Sequence, residues 1–410
     1  MKQVTRREFV RYAALGIAGI AGGALAGRYL APARMVQYGT RHKLAMTEAL
    51  VEMVDHTPVY HWAFEDLANI AHVPQFPGPL IQAIEGDEVG LSVTNALPAA
   101  HGFRIPGAPG DIGDGIVIEP GETRTIEFTA PEGGSYMYLD HLNAPVNRVL
   151  GLHGPMIVLP KEGNTPYSNP TPAVQKLFDD LGTTEHFPGE PWKPERTRIW
   201  MFSTVDPTFN EMAQRGERID ATQFNNEYVS RYFTINGESG AYSAHNHHTV
   251  PSGRIGQPHL IRIMNPGMSS DSPHIHGNHV YLLADTDLAG NYRIRENALF
   301  IDTFRSESGG RMDWLLPFRR PPDIPGDETI PLRSLIPTEL ALTLGGVGQA
   351  PIMYPMHGHN EQSQSAAGGN YPQGMVTGWE ITGDLDGVDF PPSNPEEKGG
   401  INEEYHGGQQ

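Results

Sequence analysis

Residues Leu80–Thr94 (LIQAIEGDEVGLSVT) alternate apolar and polar side chains around a Gly-Asp turn. A two-residue period puts successive side chains on opposite faces, a pattern that suits a strand and not a helix. Short runs of this kind recur at Thr123–Thr129, Gly134–His141 and Gly154–Leu159. They return at Arg198–Ser203, Tyr232–Ile235, His259–Met264, His279–Ala284, Met312–Pro317 and Met375–Ile381. The 47 glycines and 36 prolines supply turns between them, and few stretches carry a helical period. The chain is therefore expected to be all-β, and 410 residues suffice for two or three domains.

The runs fall into two groups. Residues 58–160 form one expected β domain and 196–383 a second. Residues 161–195 are rich in Pro, Gly and charge and read as a linker with one short helix near Val174–Leu181. Residues 27–57 read as a connector with a short helix around Met46–Val54. Residues 384–410, rich in Pro, Gly and Glu, read as a mobile tail. Two Greek-key β-sandwich domains fit these lengths.

The N-terminus reads TRREFVRYAALGIAGIAGGALA, with Arg6 and Arg7 paired, Phe9 two residues on, and Ala24-Leu25-Ala26 closing an apolar Gly/Ala-rich stretch. Residues 1–26 therefore resemble a twin-arginine signal peptide with a small-residue cleavage site. The expected location is periplasmic or otherwise extracytoplasmic. The apolar run Tyr12–Ala26 is too short and glycine-rich for a comfortable span, so no integral membrane segment is expected after cleavage. The formal net charge is −19. A chain this acidic is a poor partner for nucleic acid or an anionic membrane. It contains no cysteine, so disulfides and thiolate metal ligands are both excluded.

Histidines supply the other ligand chemistry. DSPHIHG carries His274 and His276, and MYPMHGHN carries His357 and His359. On a strand, residues i and i+2 share a face, so each pair can aim two imidazoles into one cleft. His101 and His141 stand alone in HGFR and YMYLDH. His245, His247 and His248 (AHNHH) read as a solvated loop, His279 as a packing or supporting residue, and His153 as structural.

The order FPGPLI, GDEV, TNALP, HGFR, EPGET, YMYLDH, RVLGLHGPMIVLP, INGES, PHIHG and MHGH…GM resembles the multicopper oxidase family, two-domain type, from about Pro58 to Thr382. The resemblance implies two cupredoxin-like domains with four paired-histidine motifs around a three-copper cluster. Laid over the family pattern, the first pair falls on Ala99 and His101 and the second on Leu139 and His141. The third falls on His274 and His276, the fourth on His357 and His359. One type-3 copper would keep its full trio of His141, His276 and His357. The other would have His101 and His359 with Leu139 in place of its third ligand, and the type-2 copper would have His274 alone. The type-1 copper site is lost: Ser272, Gly358 and Ser363 replace its His, Cys and His, and Met375 remains. A copper nitrite reductase does not match, because its catalytic His and Asp and its type-1 Cys fall on Leu139, Ala99 and Asp140. Asp140, between Leu139 and His141, is expected to face away from both.

Two functions follow from what remains. One is a copper-binding oxidoreductase of reduced type, holding one or two coppers per chain, with zinc the weaker candidate. Substrate or a partner would supply its electrons directly. The other is a non-catalytic, copper-free cell-envelope scaffold that binds a partner protein. Two-domain relatives build the cluster between neighbouring chains of a trimer, so a homotrimer is expected, with His141 meeting His276 and His357 of another subunit.

Overall fold

The structure is a computed structural model that describes residues 41–321, 352–367 and 369–389. The expected signal peptide, residues 27–40 of the connector and residues 390–410 of the tail lie outside the described residues. The chain divides into two compact units, Met1–Lys161 with Asp206–Val229, and Glu162–Val205 with Ser230–Gln410.

The first unit contains β1 (Arg41–Glu52), β2 (Pro58–Asp66), β3 (Pro74–Gln75), β4 (Ile81–Ile84), β5 (Glu88–Asn95), β6 (His101–Phe103), β7 (Ile116–Ile118), β8 (Thr123–Thr129), β9 (Gly134–Leu139) and β10 (His153–Leu159). One sheet runs β3-β2-β1-β5-β8 and a second β4-β10-β9, while β6 and β7 form a separate ladder. Along β5 the pattern EVGLSVTN buries Val89, Leu91 and Val93 and turns the alternate residues outward. These meet Phe64, Ile81, Ala83, Tyr138, Met156 and Val158 from the other strands in one apolar core. Two sheets with a shared core define a β-sandwich.

The connector reading is corrected here. Met46 to Glu52 belong to strand β1, not to a helix. β1 pairs antiparallel with β2 from Leu44 to Glu52 and parallel with β5 from Arg41 to Met46. Its Ala, Leu, Glu and Met residues favour helix locally, but the ladders on both sides and burial of Leu44 and Met46 outweigh that weak preference.

The second unit contains β11 (Thr197–Val205), β12 (Tyr232–Ile235), β13 (Ser252–Arg254), β14 (His259–Met264), β15 (Pro273–Ile275), β16 (Val280–Thr286), β17 (Tyr292–Ile301), β18 (Arg311–Leu316), β19 (Ile352–Gly358) and β20 (Val376–Gly383). The six-stranded sheet runs β12-β11-β14-β18-β16-β17 and the four-stranded sheet β13-β20-β19-β15. Trp200, Ile261, Leu282 and Trp314 of the first sheet share a core with Ile275, Met356, Trp379 and Ile381 of the second. The other face of the large sheet is covered as well. The helix Pro172–Asp180, close to the one expected from sequence, packs Val174, Leu177 and Phe178 with Leu260, Leu283 and Leu315. This explains why β14 and β18 are buried along nearly their whole length instead of alternating. Between the two faces, Asp313 accepts hydrogen bonds from Tyr167 (2.9 Å) and Tyr292 (2.6 Å) and pairs with Arg262 (3.2 Å). Among the described residues no helix is long and apolar enough to cross a membrane.

Candidate metal centre

β15 and β19 run antiparallel, with His274 directly opposite His357 and Pro273 opposite Gly358. Directly opposed residues present their side chains to the same face of the sheet. His276 lies just past the end of β15, where its N–H donates to the Pro355 carbonyl and keeps it in register. Trp379 Nε1 donates to the His276 carbonyl at 2.8 Å. The outcome is a cluster in which one ligand atom each from His274, His276 and His357 lies within 4.8 Å of the others. His359 joins its edge, with its ring 4.9 Å from that of His274. Its N–H donates to the Ser272 carbonyl at 2.8 Å.

The hydrogen bonds set the nitrogens of these rings. A neutral imidazole has one N–H and one lone pair. His357 Nδ1 lies 3.0 Å from the Gly358 carbonyl, which can only accept, so the proton sits on Nδ1 and the lone pair on Nε2. His276 Nε2 lies 3.1 Å from His357 Nε2 and therefore donates to it. His274 Nδ1 is 2.6 Å from Thr303 Oγ1. Burial, and then the neighbouring imidazoles, hold His274 and His276 below the ordinary histidine range. Three imidazoles in one cleft are the donor set that copper or zinc takes.

In the first unit His101 and His141 flank Gly102. His101 is buried on β6, and its Nδ1 lies 2.7 Å from Asp140 Oδ2. The Asp140 carboxylate also accepts from the N–H groups of Gly102 and Leu142, each at 2.8 Å, and from Asn147 Nδ2 at 2.8 Å. Asp140 is the anchor of His101. Regular alternation ends with β9 at Leu139, so the i, i+2 rule no longer assigns faces at residues 140 and 141. The His141 ring fills the space beside two glycines: a Cβ on Gly102 would come 2.6 Å from its Nδ1, and one on Gly115 2.6 Å from its Cε1. His141 Nδ1 is buried without a hydrogen-bond partner. A buried polar atom with no partner is costly, and a bound cation would satisfy it. Of the six expected ligands, His274, His276, His357 and His359 thus gather in the second unit, and His101 and His141 belong to the first.

The residues that the resemblance sets at a type-1 copper site pack closely together. A Cβ on Gly358 would overlap the Ser363 hydroxyl and sit 2.7 Å from Asp271 Oδ1. Ser363 Oγ donates to the Asn360 carbonyl at 2.8 Å, and Asp271 Oδ1 accepts from the Ser272 N–H at 2.7 Å. Burial pushes the Asp271 carboxyl up to about 6. Met375 is buried beside this pair, with its N–H donating to the Ser363 carbonyl at 2.7 Å. His279 stacks on Phe300 at 4.9 Å. His153 is buried with its Nδ1 2.8 Å from the Arg148 carbonyl.

Among solved structures the chain is similar to a blue copper oxidase from Nitrosomonas europaea, with a TM-score of 0.56, 21% identity, and coverage of 83% of this chain and 85% of that one. The fold is that of the cupredoxin-built copper oxidases. The family model described as multicopper oxidase matches residues 66–163. L-ascorbate oxidase of Cucumis sativus is 38% identical over 101 residues, 22% of this chain and 17% of that protein. Copper resistance protein A of Pseudomonas syringae pv. tomato is 31% identical over 178 residues, 39% of this chain and 26% of that protein. The matched stretches thus span about a sixth to a quarter of these relatives' lengths. Residues 66–163 are thus similar to the multicopper oxidases, and copper is the cofactor that family implies.

Proposed function

We propose that this chain is an exported copper-binding oxidoreductase of reduced type, in which His274, His276 and His357 hold copper within the second unit. The observation that carries this reading is the convergence of three imidazole ligand atoms within 4.8 Å. Copper so held supplies one-electron chemistry at a position open to a small ligand. The residues' own part is to present lone pairs from two paired strands. His359 is placed to join as a further ligand, and His101 and His141 offer a second histidine pair from the first unit. Without a type-1 centre, an electron donor must deliver directly to the histidine site. Copper is preferred to zinc because the fold belongs to copper oxidases.

The proposal includes export by the twin-arginine route, resting on Arg6, Arg7 and the apolar stretch that follows. It also includes a homotrimer, resting on the division of the four motifs between two units. A light-scattering mass of a single chain would defeat the trimer.

One observation favours the second reading, a copper-free envelope scaffold. Close packing among Gly358, Ser363 and Asp271 leaves no room for a side chain at the position the resemblance assigns to a type-1 thiolate. Metal content separates the two. The enzyme reading requires copper that is lost in His357→Ala, whereas a scaffold takes up none after reconstitution and keeps its partner binding in that variant.

A further inference from the structure

The row of side chains through the histidine cluster continues one strand further than the ligands. His274 faces His357 on one side of β15. On its other side it is bridged to Thr303, which follows β17, and the Ile275 N–H donates to the Asp302 carbonyl at 3.0 Å. Thr303, His274 and His357 are thus successive cross-strand neighbours, whose side chains share a face. This register puts Thr303 Oγ1 2.6 Å from His274 Nδ1 and an Asp302 carboxylate oxygen 3.8 Å from the same nitrogen.

We propose that Thr303, backed by Asp302, is a positioning residue that holds the proton of His274 on Nδ1 and so aims its Nε2 lone pair into the cluster. The proposal rests on the reading of His274, His276 and His357 as a metal site. A hydroxyl can either donate or accept, so Thr303 alone leaves the tautomer open. Asp302 decides it. A carboxylate only accepts, and one 3.8 Å away on the Nδ1 side favours an N–H there. The Thr303 hydroxyl then accepts from Nδ1. With the opposite tautomer the Nε2 proton would occupy the position a metal needs. His357 is held in the same sense by the Gly358 carbonyl, so two of the three rings are set before any metal arrives. A support of this kind, a ring N–H given to an oxygen acceptor, fixes ligand orientation in metal sites, and its loss typically weakens metal affinity about 10–100-fold.

The test begins on the metal-free full-length protein with 15N-labelled histidine. Long-range 15N–1H spectra read which nitrogen of His274 carries the proton, and need no copper. Nδ1–H in the wild type and a mixture of tautomers in Thr303→Val is the expected result. Cupric ion affinity is then measured by chelator competition. Thr303→Val should bind about 10–100-fold more weakly, Thr303→Ser near wild type, and Asp302→Asn between the two. His274 protonated on Nε2 in the wild type would overturn the proposal, as would a Thr303→Val variant that binds cupric ion as tightly as wild type. If the wild type binds no copper, the metal-site reading fails, while the tautomer spectrum still decides the role of Thr303.

Discussion

Gly358 and Ser363 approach so closely that no side chain fits between them: a single Cβ on Gly358 would overlap the Ser363 hydroxyl. The space that a side chain at residue 358 would take is therefore occupied by Ser363 and by the carboxyl group of Asp271.

This gives a prediction about restoring the lost site. Overpacking a closed core typically costs about 1–3 kcal/mol. Gly358→Cys should lower stability by that amount in urea unfolding and develop no intense blue absorption with cupric ion. Gly358→Ala should show nearly the same loss, because the obstruction is at Cβ. A blue colour in Gly358→Cys would mean that the pocket reopens and that the packing account is wrong.

Asp140 concerns the other unit. Its carboxylate serves His101, Gly102, Leu142 and Asn147 at once. Asp140→Ala would leave several buried donors without an acceptor, at about 1–3 kcal/mol each when unrelieved. A loss of more than about 3 kcal/mol is expected in equilibrium unfolding. A shift of a few tenths would show that these groups find water or other partners.

Acid should destabilise the protein well before carboxylates are generally protonated. Burial pulls His61 down to about 4, and His153 and His259 to about 3. An unfolded chain protonates these near 6.5, so between pH 6.5 and about 4 the unfolded state binds more protons and stability falls as pH falls. Asp271, raised to about 6, acts oppositely: its folded form takes up a proton first, so its contribution improves as pH drops from 6 towards 4. Three histidines against one carboxyl give a net loss. Urea midpoints measured at pH 7, 6 and 5 should decline, and His153→Gln should flatten the slope. A flat midpoint across that range would refute the burial of neutral histidines.

The buried pair Arg262–Asp313 gives a fourth expectation. Removing one partner leaves a buried charge uncompensated, which costs about 3–5 kcal/mol. Asp313→Ala should therefore be far more damaging than Tyr292→Phe, which deletes one hydroxyl from the same carboxylate. Equal losses would mean that Arg262 is satisfied elsewhere.

Much of the fold was legible because strand alternation and burial agree locally, as in β5, where Val89, Leu91 and Val93 point inward. β1 was not legible, since its Ala, Glu and Leu content reads as helix and only its pairing with β2 and β5 decides otherwise. The candidate ligands were visible as His-x-His pairs, and the structure brings the pairs of β15 and β19 together in one ladder. Their supports were not visible. Thr303 is separated from His274 by 29 residues and Asp140 from His101 by 39, and nothing local marks either as a partner. The identity of the residues gathered by the second unit also depends on strand pairing: His274, His276 and His357 cluster, whereas the sequence grouped His276 and His357 with His141.

The central claim is that three histidines of one unit hold copper. The most direct measurement is copper content by mass spectrometry after reconstitution and exhaustive dialysis, on wild type and on His357→Ala with its folding verified. The account predicts about one copper per chain in the wild type, as three imidazoles with an open position allow, and none above background in the variant. Copper retained unchanged in a folded His357→Ala protein, or absent from the wild type, would contradict it.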